Sequence, residues 1–182
     1  YRGGSLAHHK LGNRERAIEI ATTGCERFQF DHTAQQHLGL LLHEQGRSEE
    51  ALIPLRKALE LQPEYAEAQY NLGTILAHLG RNEEAVDQYR KTLRISPQSA
   101  GVWNNLGGIH CLNKELKPAE ECFRKALELD QNSGQAWFNL AIVLQAKEDT
   151  EGTLNAFQKA VNVEPANTQF RTGLMLALWK NG

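Results

Sequence analysis

The sequence has almost no surplus of charge. Twenty Lys and Arg stand against 22 Asp and Glu, a formal balance of −2 with the seven His taken as neutral. Binding nucleic acid by neutralising many phosphates needs a basic excess, and so does polybasic attachment to an anionic membrane. Neither partner is expected here. No apolar run approaches the roughly 18 residues of a bilayer-crossing helix, so no membrane span is expected either. Cysteine is sparse: Cys25, Cys111 and Cys122 are odd in number and scattered, without a CxxC pair. That pattern argues against a disulfide framework and a zinc site, and the three read as reduced thiols on helices. There is no N-x-S/T glycosylation acceptor, which together with the thiols favours the cytoplasm. The start, Tyr1-Arg2-Gly3-Gly4-Ser5, lacks both an initiating Met and a signal-peptide core, so the chain reads as a piece of a longer one.

Catalytic motifs are missing as well. There is no GxxxxGKS/T, HExxH, GxSxG or GxGxxG, the spacings that cradle phosphate, hold zinc, expose a serine or bind a dinucleotide. The acids are spread over helix-surface positions instead of converging. No catalytic residue, cofactor or metal is expected.

What the sequence has is a repeat with a period of 34 residues. Leu38, Leu72, Leu106, Leu140 and Leu174 share one column, and Gly39, Gly73, Gly107 and Ala141 the next. Asn71, Asn105 and Asn139 stand just before the leucines. Further on, Ala51, Ala85 and Ala119 align, then Leu55, Tyr89, Phe123 and Phe157. Ala58, Ala126 and Ala160 follow, with Thr92 as the exception, and Pro63, Pro97 and Pro165 close three units, with Gln131 in the fourth. Each unit carries two apolar stripes at helical spacing, such as Leu72, Ile75, Leu76 and Leu79 followed by Val86, Tyr89 and Leu93, so each is a pair of amphipathic helices. Gly12, Gly46 and Gly80 lie between the helices, where a positive φ ends the first. Lys114 and Glu148 replace that Gly in two units. Ser48 and Asn82 are expected to cap the second helices, with Glu49-Glu50 and Glu83-Glu84 in the first turn, favoured by the dipole. Pro54 falls inside a helix, where it removes one hydrogen bond.

An aromatic followed by Leu-Gly, Ala, an aromatic, Ala and Pro resembles the tetratricopeptide repeat (TPR), and the segments VWNNLGGIH…PAEECFRKALELD and AWFNLAIVL…LNAFQKAVNVEP carry the likeness. It covers essentially the whole chain. It implies an all-α fold, a right-handed TPR superhelix, that is, an α-solenoid of antiparallel helix pairs. The units would be a partial one at 1–31, full ones at 32–65, 66–99, 100–133 and 134–167, and the first helix of a further unit, or a capping helix, at 168–182. One hairpin cannot bury its apolar face alone, so neighbours must stack.

The resemblance also implies a concave groove lined by the first helices, and a function there: a non-catalytic scaffold that binds an extended peptide or partner protein. A carboxamide offers an acceptor and two donors, the complement of a peptide backbone. A row of Asn71, Asn105 and Asn139 can therefore hold an extended chain without reading its side chains. The row is similar to the asparagine ladder in the TPR arm of O-GlcNAc transferase. His37 and Gly173 interrupt it at either end. Net hydrogen-bond gains of roughly 0.5–1.5 kcal/mol each leave three Asn short of a micromolar complex at about 8 kcal/mol, so side-chain pockets are needed. Tyr70, Thr74, Phe138 and Ile142 are the candidates, with Leu40 and His43 toward the N-terminal end. A chaperone-tail clamp of Lys and Asn is not expected: its columns read Gln36, Leu40, Asn71, Gly101 and Asn105, where only the Asn residues match and both Lys and the third-unit Arg are missing.

His9, His43, His37 and His78 are expected on the groove side. Equivalent side chains in adjacent units lie about 10 Å apart, too far for two metal–nitrogen bonds of about 2 Å, so they read as polar lining. Trp103 and Trp137 read as core, in a column where Gln35 and Gln69 stand in the earlier units. Two other functions compete with the scaffold. One is the substrate-recruiting arm of a larger enzyme, a glycosyltransferase or other modifying enzyme. The other is self-assembly into a homo-oligomer through the C-terminal helix, where Met175, Leu176 and Trp179 belong to an unbroken apolar run of the kind that marks a contact surface.

Overall fold

In the computed structural model, residues 14–28 and 30–181 are described. Gly12 and His9 lie outside them. Among the described residues ten helices follow one another: α1 (Arg14–Arg27), α2 (His32–Glu44), α3 (Ser48–Leu61), α4 (Ala66–His78), α5 (Asn82–Ile95), α6 (Ala100–Leu112), α7 (Leu116–Leu129), α8 (Gly134–Ala146), α9 (Thr150–Val163) and α10 (Thr168–Asn181). Among the described residues there is no strand, and no helix is long and apolar enough to cross a membrane. The architecture is an all-α TPR superhelix. The chain divides into two compact units, Tyr1–Pro97 and Gln98–Gly182.

The columns explain the packing. In unit 1, α2 pairs with α3 and α4 with α5. Gly73 sits so close to Tyr89 that a Cβ there would lie 2.7 Å from the ring, and at Gly39 it would lie 2.7 Å from Leu55 Cγ. In unit 2, α6 pairs with α7 and α8 with α9, and a Cβ on Gly107 would lie 2.6 Å from Phe123. The small column thus exists to let the bulky column of the next helix reach the backbone. That bulky column is fully buried, as are Ala51, Ala85 and Ala119. Thr92 is buried too, and its hydroxyl is satisfied by donating to the Gln88 carbonyl at 2.9 Å.

Each hairpin turns through the same device. Gly46 (φ 79°) and Gly80 (φ 76°) are left-handed, and so are Lys114 and Glu148, both at φ 62°. The next residue's N–H then reaches back to the first helix: Arg47 to Leu42 O at 3.0 Å, Arg81 to Leu76 O at 2.9 Å, Glu115 to His110 O at 2.9 Å, Asp149 to Leu144 O at 3.0 Å. These bonds satisfy carbonyls that the helix end would orphan. The expected caps are corrected. Ser48 and Asn82 are the first residues of their helices, and the cap positions belong to Arg47 and Arg81, which make no side-chain cap bond. Their guanidinium groups instead grip an acid one turn on, Glu50 at 2.6 Å and Glu84 at 2.6 Å. Ser48 is tied back to His43 Nδ1 at 2.9 Å. Side-chain caps do occur elsewhere: Asp31 accepts from Thr33 N at 2.9 Å and Ala34 N at 3.1 Å, and Ser133 accepts from Ala136 N at 3.2 Å. Pro54 is accommodated inside α3, which runs unbroken.

The three cysteines are unpaired; Cys25 on α1 and Cys122 on α7 are buried, Cys111 on α6 half-buried. Burial pushes the Cys25 and Cys122 thiols up to about 11, helped by nearby acids. It raises Cys111 as well.

The small column yields a paired test. Gly107→Ala forces its methyl into Phe123 and is expected to destabilise by about 1–3 kcal/mol. Gly108→Ala, one residue away with nothing within 4 Å of its Cβ, is expected to stabilise by about 0.5–1 kcal/mol through helix propensity. Urea denaturation of the two variants reads both signs.

Candidate functional site

In unit 1 the first helices α2 and α4 touch one another and carry the candidate residues. Asn71, Tyr70 and Thr74 on α4, and His37, Leu40 and His43 on α2, are all half-buried. The Thr74 hydroxyl donates to the Tyr70 carbonyl at 3.0 Å and accepts from the Tyr89 phenol at 3.3 Å. Tyr70 lies with its ring 6.2 Å from that of Tyr89. A buried core residue therefore reaches up to fix Thr74. His43 packs edge-on against His78, ring centroids 5.3 Å apart, closer than the 10 Å expected between equivalent columns because these two stand in adjacent ones. Among the described residues no cluster of three His, Cys, Asp or Glu is placed to hold a metal ion.

In unit 2 the asparagines form a bonded pair of helices. Asn139 on α8 donates from Nδ2 to Asn104 Oδ1 on α6 at 3.0 Å, and its own Oδ1 accepts from Gln135 Nε2 at 2.9 Å. Asn105 is half-buried beside Asn104. A carboxamide has two donors and two lone pairs, so Asn139 keeps one donor and one acceptor in hand while its rotamer is held from both sides. Asn104 and Gln135, which the column reading did not single out, are the residues that hold Asn139. The signal was available for Gln135, four residues before Asn139 and hence on the same helical face.

Phe138 is placed differently from the expectation. It is only 7% exposed, stacked on Phe170 at 5.1 Å and edge-on to Phe157 at 5.5 Å. The reason is Gly173, whose missing side chain lets Phe138 and Phe157 close on α10. Phe138 is thereby a core residue and leaves little surface for a ligand. Ile142, by contrast, is exposed. Trp103 and Trp137 are half-buried against the unit 2 core. On α10, Phe170 and Ala177 are buried, whereas Met175 (67%), Leu176 (54%), Leu178 (54%) and Trp179 (81%) are exposed.

With this geometry in view, the family model of the Cilia and flagella-associated protein 70 middle TPR-like domain matches residues 79–180. The tetratricopeptide repeat model matches residues 5–63 and 54–100. No curated protein matches the sequence. Many solved structures share the fold. MamA from Desulfovibrio magneticus RS-1 is 21% identical, with a TM-score of 0.82 over 92% of this chain and 95% of that one. PilF of Pseudomonas aeruginosa is 26% identical, with a TM-score of 0.76 over 82% of this chain and 68% of its own. YrrB, a TPR protein with an unusual peptide-binding site, is 22% identical, with a TM-score of 0.72 over 97% and 88%.

His43 supplies a pH test. Burial depresses its pKa below the usual 6.5, and the neighbouring His78 adds to the effect, against a smaller opposite pull from Glu44. The unfolded chain then binds a proton more readily than the folded one, so stability is lost as pH falls through about 6.5 and into the depressed range. His43→Gln is expected to flatten that part of the profile. Melting temperatures of both proteins between pH 7.5 and 5.5 measure the difference.

Proposed function

The chain belongs to the tetratricopeptide-repeat family, and on that premise we propose that it is a non-catalytic scaffold that holds an extended segment of a partner polypeptide against its first helices. One observation carries the reading. Asn139 is clamped by Asn104 and Gln135 yet retains one donor and one acceptor, the pair that a peptide unit offers in complement. Holding the rotamer beforehand lowers the ordering cost of binding. In unit 1, Asn71 with Leu40 and Thr74 plays the same part, and in unit 2, Asn105 and Asn139 with Ile142. YrrB, with its peptide-binding site on the same fold, supports the idea by analogy. The unpaired cysteines fit a reducing compartment, so the cytoplasm is part of the proposal.

Each Asn→Ala change removes a hydrogen bond worth about 0.5–1.5 kcal/mol. Asn105→Ala and Asn139→Ala are expected to weaken a peptide selected on the wild type from an extended-peptide library by about two- to tenfold each, with helicity unchanged. Fluorescence anisotropy reads the affinities. Unaltered binding in both variants discards the asparagine row.

A second reading, association between copies, rests on the exposed Met175, Leu176, Leu178 and Trp179 of α10. Sedimentation velocity over a wide concentration range is expected to show a dimer or larger species that Leu176→Glu with Trp179→Glu disperses. A monomer at the highest concentration rejects this reading and leaves the peptide surface standing.

A further inference from the structure

Gln69 and Trp137 occupy the same column two units apart, and their nitrogens do the same work. Trp137 Nε1 donates to the Gln131 carbonyl at 2.9 Å, and Gln69 Nε2 donates to the carbonyl of Pro63, the equivalent residue, at 3.4 Å. The remainder of each side chain differs. The Trp137 indole presents a flat ring to Lys159, whose Nζ lies 4.2 Å from its centroid. Gln69 has no ring to offer. It carries instead a second polar atom, Oε1, which is buried without a hydrogen-bond partner in a residue only 7% exposed.

Gln69 lines a cavity of about 490 Å³ between α3, α4 and α5, with Leu72 and Leu76 on its apolar wall and Lys91, the counterpart of Lys159, beside it. Arg56 and Glu84 pair across the cavity at 3.6 Å. The corresponding cavity in unit 2, which Trp137 lines with Leu140 and Leu144, is about 400 Å³. So in unit 1 the place of an indole is taken by a shorter amide, the surrounding scaffold is retained, and a residue of the cavity wall holds a buried acceptor without a partner.

We propose that this cavity is a binding site for a tryptophan side chain of a partner polypeptide. The chemistry is selective. An aliphatic guest covers Leu72 and Leu76 but forgoes the hydrogen bond that Gln69 Oε1 has to accept. A cationic guest supplies a donor but no ring, and the lining, Lys91 and Arg56 against Glu60 and Glu84, carries no net negative charge to attract it. An indole supplies both the flat apolar ring and an N–H, and its face is attractive to the Lys91 ammonium, as Trp137 is to Lys159. The site is separate from the asparagine row. Gln69 and Asn71 are two residues apart on α4, about 200° around the helix, and neither the cavity nor its guest depends on the groove.

The test titrates the full chain, isotope-labelled, with N-acetyl-tryptophanamide and follows the Gln69 side-chain amide and the Leu72 and Leu76 methyl signals by NMR. Saturable shifts confined to these groups are expected. The 1-methylindole analogue, which has no N–H, is expected to bind about three- to tenfold more weakly. Gln69→Trp, which installs the residue of the equivalent unit, is expected to reduce binding at least tenfold with circular dichroism unchanged. Gln69→Leu keeps the space but removes the acceptor, and is expected to bind both probes alike. Shifts that do not saturate or that map elsewhere, equal affinity of the wild type for both probes, or undiminished binding by a folded Gln69→Trp overturns the proposal. Shifts of the same signals with protein concentration alone, abolished by Trp179→Ala, make a second copy the occupant and overturn the assignment to a separate partner.

Discussion

The structure depends on one close approach: a helix backbone without a side chain, pressed by the bulkiest residue of the helix that follows. Gly39 against Leu55, Gly73 against Tyr89 and Gly107 against Phe123 are the same contact made three times. It sets which face of each first helix turns inward. Asn71 stands two residues before Gly73, and Asn105 two before Gly107. Two residues turn the helix by about 200°, so pressing the glycine against its hairpin partner turns the asparagine away from it. Within each compact unit, the direction of the asparagine is a geometric by-product of the glycine contact on the same helix. Tyr89 joins the two sides, since the ring that packs on Gly73 also carries the phenol that fixes Thr74.

Period and column carried most of the architecture. A residue's position in the repeat states which helix it lies on and which way it faces, and the helix pairs, the left-handed turns and the buried alanines follow from that. What the columns could not state is what a side chain finds once it faces somewhere. Phe138 shares its column with Tyr70, but Gly173 stands two residues before Met175 and draws Phe138 into the core. That outcome depends on a neighbour in another unit. Ser48 and Asn82 have cap chemistry, yet the left-handed turn places Arg47 and Arg81 at the cap position and leaves them to reach forward to Glu50 and Glu84. The bond from Asn139 to Asn104 joins different columns of different helices, which a column-by-column reading does not compare.

Departures from the repeat divide into two kinds. Lys114 and Glu148 change the residue and keep the backbone, holding the left-handed turn that Gly46 and Gly80 hold without a Cβ. A non-glycine residue in that region stores about 1–2 kcal/mol, an outlay that the four reach-back bonds and the cores on either side sustain. Gln69 is of the other kind. It keeps the donor bond of Trp137 and gives up the ring, so the scaffold is unchanged and the chemistry of the cavity wall is new. A solenoid can vary in this way because each unit answers mainly to its neighbours.

The buried thiols have a practical consequence. A cysteine reacts with alkylating reagents as its thiolate, and Cys25 and Cys122 are both shielded and held protonated at neutral pH. Each can therefore be modified only when the helices around it part. Because Cys25 belongs to the first compact unit and Cys122 to the second, the chain carries a built-in clock for each half, and the pace of alkylation at the two sulfurs reports how often each half breathes open.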